Sequence, residues 1–206
     1  MHYKLSNTAS LKTIENGTGL SFIYPHIYKP HHVISGQTER ILPIITQNQP
    51  NVIQFGIWGL LPQGYEGDWN KFQGIKSTLA TTKSGMELSK ALYNEALKKR
   101  RCVIVVTGYF TYYLDNNKIV EHLIEAKEDD LFYIAGIFNV LDDGFLTFSL
   151  LETNATDKIN TIQNLNNSMP LQLPKPLINA WLDPETELQN LEAMIENHAS
   201  PDYKIY

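Results

Sequence analysis

Cysteine is nearly absent from the 206 residues. Cys102 stands alone, which excludes an internal disulfide framework and a thiolate zinc cluster. No run of about 18 apolar residues occurs, so the sequence offers no membrane-spanning helix. Met1 to Leu20 mixes Lys4, Lys12 and Glu15 with Ser, Thr and Asn. That stretch has no apolar core of the kind a secretory signal carries, and the expected compartment is the cytoplasm. Positive charge is also scarce, with Lys+Arg 17 against Asp+Glu 22 and a formal net charge of -5. Such a balance argues against nucleic-acid binding by bulk electrostatics and leaves only a local basic face. No internal repeat, low-complexity tract or linker-like Pro/Gly/Ser stretch breaks the chain. What is present is 43% hydrophobic and 19% charged, enough apolar side chain for a sizeable core. A single domain over residues 1–206 is expected.

Strand-like segments dominate. Arg40 to Thr46 and Val52 to Trp58 are short, β-branched and aromatic, separated by a turn-like Gln47-Asn48-Gln49-Pro50-Asn51. Cys102 to Val106 is a continuous apolar run suited to a strand covered on both faces. Gly108 to Leu114 leads into the polar hairpin loop Asp115-Asn116-Asn117-Lys118, with Ile119 to Ala126 as its return strand. Leu131 to Phe138 and Phe145 to Leu151 pair across Leu141-Asp142-Asp143-Gly144, where Asp-Gly is a strong turn signal. Successive hairpins predict a mostly antiparallel, barrel-like sheet.

Helices are expected around it. Ser84-Gly85-Met86-Glu87 has the form of a capping box, followed by Leu88, Leu92 and Ala96 on one face. Asp183-Pro184 reads as N-cap and first position of a last helix that buries Leu188, Leu191 and Ile195. A shorter helix is expected around Ile159, Ile162 and Leu165. The predicted class is α+β, a mostly antiparallel, barrel-like sheet with peripheral helices.

Chemistry is thin at the level of single motifs. His31-His32 is the only close histidine pair, and neighbours on an extended chain point to opposite faces. No metal-binding histidine spacing exists, and no metal or cofactor is expected. Gly17-Thr18-Gly19 and Gly64-Tyr65-Glu66-Gly67 lack the context of a phosphate loop and read as turns. No G-x-S-x-G elbow is present. Cys102 opens a buried strand and reads as core. Lys98-Lys99-Arg100-Arg101 is the one basic cluster. It is either a solvated helix end or a contact to nucleic-acid backbone, with Tyr109, Phe110, Tyr112 and Tyr113 as stacking surfaces.

The order of segments nonetheless resembles the SRAP family, the SOS response-associated peptidases that process abasic sites. The residues that carry the likeness begin with His32-Val33-Ile34-Ser35-Gly36 leading to Leu42-Pro43-Ile44-Ile45-Thr46, then Trp58-Gly59-Leu60-Leu61-Pro62 and Thr78-Leu79-Ala80. They continue with Arg100-Arg101-Cys102 followed by Gly108-Tyr109-Phe110, then Phe132 to Phe138. The likeness ends with Ile162-Gln163-Asn164 and Met169-Pro170 before Leu173. It implies a strand-rich α+β domain with a cleft for single-stranded DNA. A further strand after the last helix is also implied, of which Asp202 to Tyr206 supply the beginning. The implied chemistry is capture of an abasic aldehyde by an N-terminal cysteine, whose amine and thiol close a thiazolidine ring. An asparagine, a glutamate and a histidine position the groups and move protons.

This chain departs from the pattern at each of those places. Position 2 is His2, too bulky for ordinary removal of Met1. The asparagine falls on Ala80, with Ser77 as the neighbouring candidate, and the arginine after it on Thr82. The glutamate becomes Thr111 and the tryptophan beside it Tyr112. The histidine becomes Gln163 and a second arginine Ser168. Neither Thr nor Gln titrates near neutrality, so no proton-transfer group is expected in the cleft. Trp58, Pro62, Thr82, Tyr112, Ser168, Arg100 and Arg101 are the candidates for lining it or contacting DNA. The expected function is a non-catalytic SRAP-like protein with single-stranded or damaged DNA as inherited ligand. The alternatives are an active abasic-site cross-linking or autopeptidase enzyme, and a protein-interaction module unrelated to DNA.

Overall fold

The computed structural model describes residues 4–38, 40–62, 65–67, 80–81, 90–127, 131–196 and 202–206, with the backbone alone at 80–81 and 90–94. The elements begin with β1 (Lys4–Asn7), α1 (Leu11–Thr18), β2 (Ser21–Phe22), a 3-10 turn (Pro25–Ile27) and β3 (His31–Ser35). β4 (Ile41–Thr46), β5 (Gln49–Trp58), β6 (Ala80–Thr81), α2 (Lys90–Lys99) and β7 (Arg101–Val106) follow. Next come β8 (Gly108–Asp115), β9 (Lys118–Ala126), β10 (Phe132–Val140), β11 (Leu146–Asn154) and α3 (Asp157–Asn160). β12 (Ser168–Pro170), α4 (Lys175–Leu182), α5 (Leu188–Glu196) and β13 (Tyr203–Ile205) complete the described chain.

β7 is buried at all six positions, and the alternation of a strand sends its side chains both ways. Val103 and Val105 enter one hydrophobic cluster together with Ile14, Leu97, Trp181, Leu191 and Ile195 from the helices. Cys102, Ile104 and Val106 enter another with Leu5, Ile34, Tyr109, Ile124 and Tyr203. Each Val or Ile so buried contributes about 1.5–3 kcal/mol relative to exposure. The sheet containing β7 therefore has helices on one face and a second sheet on the other. Burial also pushes the Cys102 thiol well above its ordinary range.

The smaller sheet runs β13-β9-β8-β1-β3 and is antiparallel throughout. The larger runs β12-β11-β10-β7-β4-β5-β2, with β6 attached to β11. Three of its pairings are parallel: β2 with β5, β5 with β11 and β6 with β11. The expectation of one mostly antiparallel, barrel-like sheet is thereby corrected. The strands divide between two sheets, and the larger one mixes parallel with antiparallel pairing. Hairpin counting from sequence sees neighbouring strands and misses parallel contacts made by strands far apart in the chain.

Helix boundaries differ from expectation for local reasons. Leu11–Thr18 is a helix capped by Ser10 and stopped by Gly19 in the left-handed region (φ 72°), where the sequence reads as a turn. Asp183 closes α4 rather than opening the last helix, which starts at Leu188. The capping box at Ser84 and Glu87 lies outside the described residues. β13 pairs with β9 and supplies the strand expected after the last helix. Among the described residues no helix is long and apolar enough to cross a membrane.

Arg101, one of the residues singled out for DNA contact, is fully buried. Its guanidinium donates to the carbonyls of Leu97 and Lys98 at the end of α2, and to those of Trp181 and Asp183 at the end of α4, at 2.5–2.8 Å. Helix C-termini leave carbonyls unsatisfied and carry partial negative charge, so one cation here closes two helices at once. The expected cost of Arg101→Met is about 3–5 kcal/mol, because those carbonyls lose their donors in a buried place. Thermal denaturation followed by circular dichroism should show a melting temperature lower by about 10 °C.

Candidate functional site

The two sheets face one another across the second hydrophobic cluster, and the site lies where that cluster stops. On β11, Phe148 and Leu150 point into the cluster, and Glu152 is next in the same alternating row. On β8, Tyr109 points into the cluster and Thr111 is next in its row. Thr111 and Glu152 therefore come from opposing sheets at the same end of the gap.

The loop after α3 fills the space between them. Asn164 behaves as a short extension of the small sheet. Its side chain accepts from the Leu114 N–H at 2.7 Å and donates to the Leu114 carbonyl at 3.0 Å. With Asn164 clamped outside, Gln163 turns inward. The Thr111 hydroxyl donates to the Gln163 side-chain oxygen. The Gln163 amide nitrogen donates to the carbonyls of Asn166 and Ser168 at 3.1 and 3.0 Å. The Ser168 hydroxyl then donates to Glu152 at 3.1 Å. Thr111, Gln163 and Glu152 are 1%, 2% and 3% exposed. β6 runs beside this place, with Ala80 opposite Leu150 and Thr81 opposite Leu151.

Four of the positions read from sequence, Ala80, Thr111, Gln163 and Ser168, thus come together. His2 and Thr82 lie outside the described residues. The remaining candidates sit elsewhere. Trp58 is fully buried and stacks on Phe148, with ring centroids 6.4 Å apart. Arg100 donates to Asn139 at 2.8 Å and pairs with Glu95 at 3.3 Å. Asn139 in turn donates to the Leu61 carbonyl at 2.6 Å, so Arg100 steadies the segment ending at half-buried Pro62. Tyr112 faces away from Thr111, as adjacent strand residues must. There it lies 5.7 Å from the Lys4 ammonium, which pairs with Glu121 at 2.6 Å. Burial, with Glu121 second, raises the Tyr112 phenol.

Two groups at the site lie outside the sequence-based expectation. Asn116 and Asn117 turn the β8–β9 hairpin with positive φ (44° and 64°), the conformation a two-residue loop of this kind needs. The resulting register sets His122 directly opposite Thr111, so the half-buried imidazole shares its face. Glu152 sits near the end of β11, and its charge in that strand is the one sequence signal that marks it. Two titratable side chains thus stand near the Thr111–Gln163 pair, Glu152 through Ser168 and His122 across from Thr111.

Two stacked sheets with an apolar layer between them, ending in a buried chain of polar side chains, define an α+β protein with its candidate site at that end. Residues 7–206 match the family model described as SOS response associated peptidase (SRAP), and the chain belongs to that family. It is 23% identical over 154 residues to an abasic site processing protein of Saccharomyces cerevisiae, covering 73% of this chain. The chain spans only 40% of that relative's length. Among solved structures, a protein from Bacteroides thetaiotaomicron superposes with a TM-score of 0.84 at 22% identity, over 99% of this chain and 90% of the other. A protein from Bordetella bronchiseptica gives 0.78 at 13% identity, over 98% and 97%. At those identities the likeness shows the shared fold.

Gln163 holds at least three partners, whereas the Thr111 hydroxyl makes one bond to it. Gln163→Leu is therefore expected to cost about 2–4 kcal/mol and Thr111→Val about 1 kcal/mol. Denaturant titration gives the two values, and the reverse order would contradict the assignment of Gln163 as the centre of the network.

Proposed function

We propose that the protein binds single-stranded DNA, including strands with an abasic site, in the family cleft without forming the family's stable cross-link or cleaving its own N-terminus. The observation that carries the non-catalytic part is the Thr111–Gln163 hydrogen bond. At the two positions where the resemblance calls for a carboxylate and an imidazole, the side chains are neutral, buried and bonded to each other. They serve loop geometry and have no proton to exchange near neutrality. DNA as ligand is supported by family membership and by the name of the yeast relative. Serine and threonine in place of the family's arginines leave fewer phosphate contacts, so weak, salt-sensitive binding is expected.

A second reading, an active abasic-site enzyme, draws support from Glu152 and His122. Glu152, on the sheet opposing Thr111, and His122, on the strand beside it, keep a carboxylate and an imidazole in the same region.

Incubation with a single-stranded oligonucleotide carrying one abasic site, run on a denaturing gel beside an intact control, separates the readings. No shifted band is expected, while native electrophoresis of the same samples should show binding that weakens with added salt. A band that survives denaturation would establish the second reading. Absence of native binding would point instead to an interaction module unrelated to DNA.

A further inference from the structure

A recess of about 210 Å³ lies where β3 and the 3-10 turn meet β4 and β5, and its lining shares no residue with the Thr111–Gln163 chain. Two irregularities build it. The register of β1 against β3 shifts between Leu5 and Asn7, and Asn7 is 1% exposed. On β4, Pro43 has no N–H to give, and the ladder with β7 stops beside it, at Ile44 opposite Ile104. Val105, next on β7, takes a donor from the Asn7 side chain, whose Nδ2 bonds its carbonyl at 3.0 Å. A carbonyl only accepts, so the amide nitrogen must be the atom facing Val105, and Oδ1 is left over. That oxygen is buried without a partner among the described residues, and Asn7 lines the recess. A buried acceptor left unpaired destabilises the fold, and a donor on a ligand would relieve it.

The walls are flat and fixed. Tyr28 and Phe55 line the recess and pack on the buried ring of Phe22, with centroids 5.2 and 5.5 Å away. The Tyr28 hydroxyl is held by the Ala9 carbonyl at 2.7 Å. Pro43, directly opposite Phe55, and Ile34 add apolar surface. Lys29 and His31 are exposed and stand at the mouth. A cavity of about 150 Å³ accommodates benzene, so this one admits a six-membered ring with its substituents. Its occupant combines a compact planar ring, an N–H donor at the inner edge and an anion at the outer end. A pyrimidine nucleotide has the three in that order. The two pyrimidines of DNA differ at the corner that would meet Asn7: cytosine carries the N4 amino donor there, and thymine the O4 acceptor. We infer that the recess is a binding site for a cytosine nucleotide, whose amino group donates to Asn7 Oδ1, whose ring lies against Tyr28 and Phe55, and whose phosphate sits beside Lys29 and His31. Free deoxycytidine monophosphate (dCMP) and a cytosine within a single strand present the same groups, and the experiment separates them. The inference does not rest on the DNA reading above, because a free nucleotide satisfies it.

The test titrates the full, isotope-labelled chain with dCMP, thymidine monophosphate (dTMP) and deoxycytidine, followed by two-dimensional NMR. Oligodeoxycytidylate and oligothymidylate are the strand arms. dCMP should shift the resonances of Asn7, Tyr28 and His31 and bind about tenfold more tightly than dTMP, the weight of one hydrogen bond gained against an acceptor facing an acceptor. Deoxycytidine, which lacks the phosphate, should bind about threefold more weakly than dCMP, since ion pairs at an exposed mouth add little. Asn7→Leu should bring the ratio of dCMP to dTMP affinity to about one. If that variant fails to fold, Lys29→Glu, at an exposed position, should keep the preference for cytosine and remove the advantage of the phosphate. Shifts at the same residues with oligodeoxycytidylate, and not with oligothymidylate, would support the inference with the strand as source. Shifts with dCMP and none with either strand would support it with the free nucleotide as source. Equal binding of dCMP and dTMP would overturn it, as would a cytosine preference that survives Asn7→Leu. Shifts confined to residues outside the recess, or none with any of the five probes, would overturn it as well. A dCMP affinity unchanged by Lys29→Glu would overturn the placement of the phosphate.

Discussion

A strand whose every side chain is hidden requires a layer of protein on each side of it. β7 imposes that requirement here: Val103 and Val105 need the helices, and Cys102, Ile104 and Val106 need the second sheet. The single residue Thr107 then carries the chain from one sheet to the other. Its amide and hydroxyl both donate to the Ser6 carbonyl, at 3.0 and 3.2 Å, and its own carbonyl accepts from Ala126 at 3.0 Å. With β7 in the large sheet and β8 in the small one, Thr111 hangs over a gap whose opposite wall is β11. The site is a consequence of that crossing, because it occupies the end of the gap where apolar side chains run out.

The arrangement of polar groups there is economical in a physical sense. Interior amides and hydroxyls destabilise a fold when unpaired, by about 1–3 kcal/mol each. Thr111, Gln163 and Ser168 avoid that cost by bonding to one another and to loop carbonyls. A residue committed in this way is a poor general acid or base. Glu152 joins the same chain of bonds by accepting from the Ser168 hydroxyl.

Much of this is legible in the sequence, because the signals are local. The hairpins β8–β9 and β10–β11 follow from turn residues and alternation, and the convergence of Ala80, Thr111, Gln163 and Ser168 follows from the order of family segments. Other features are not. Arg101 reads as part of a basic cluster, and only the ends of α2 and α4, brought together by the fold, reveal it as a cap for both. Trp58 reads as a cleft aromatic until β5 pairs with β11 and lays it on Phe148. The parallel contacts that make the larger sheet mixed join strands separated by long stretches of chain, for which composition carries no signal. His122 can be found by counting back from the Asn116-Asn117 turn. Glu152 can be flagged as a charge within an apolar strand.

The central claim is that an intact family cleft has lost its covalent chemistry through a few side chains. The most direct measurement puts them back. A variant carrying His2→Cys, Ala80→Asn, Thr111→Glu and Gln163→His should form a band that survives denaturation with an abasic single strand, whereas the wild-type chain forms none. A folded variant that forms no such band would contradict the claim, because the cleft would then differ from the family's in more than these residues.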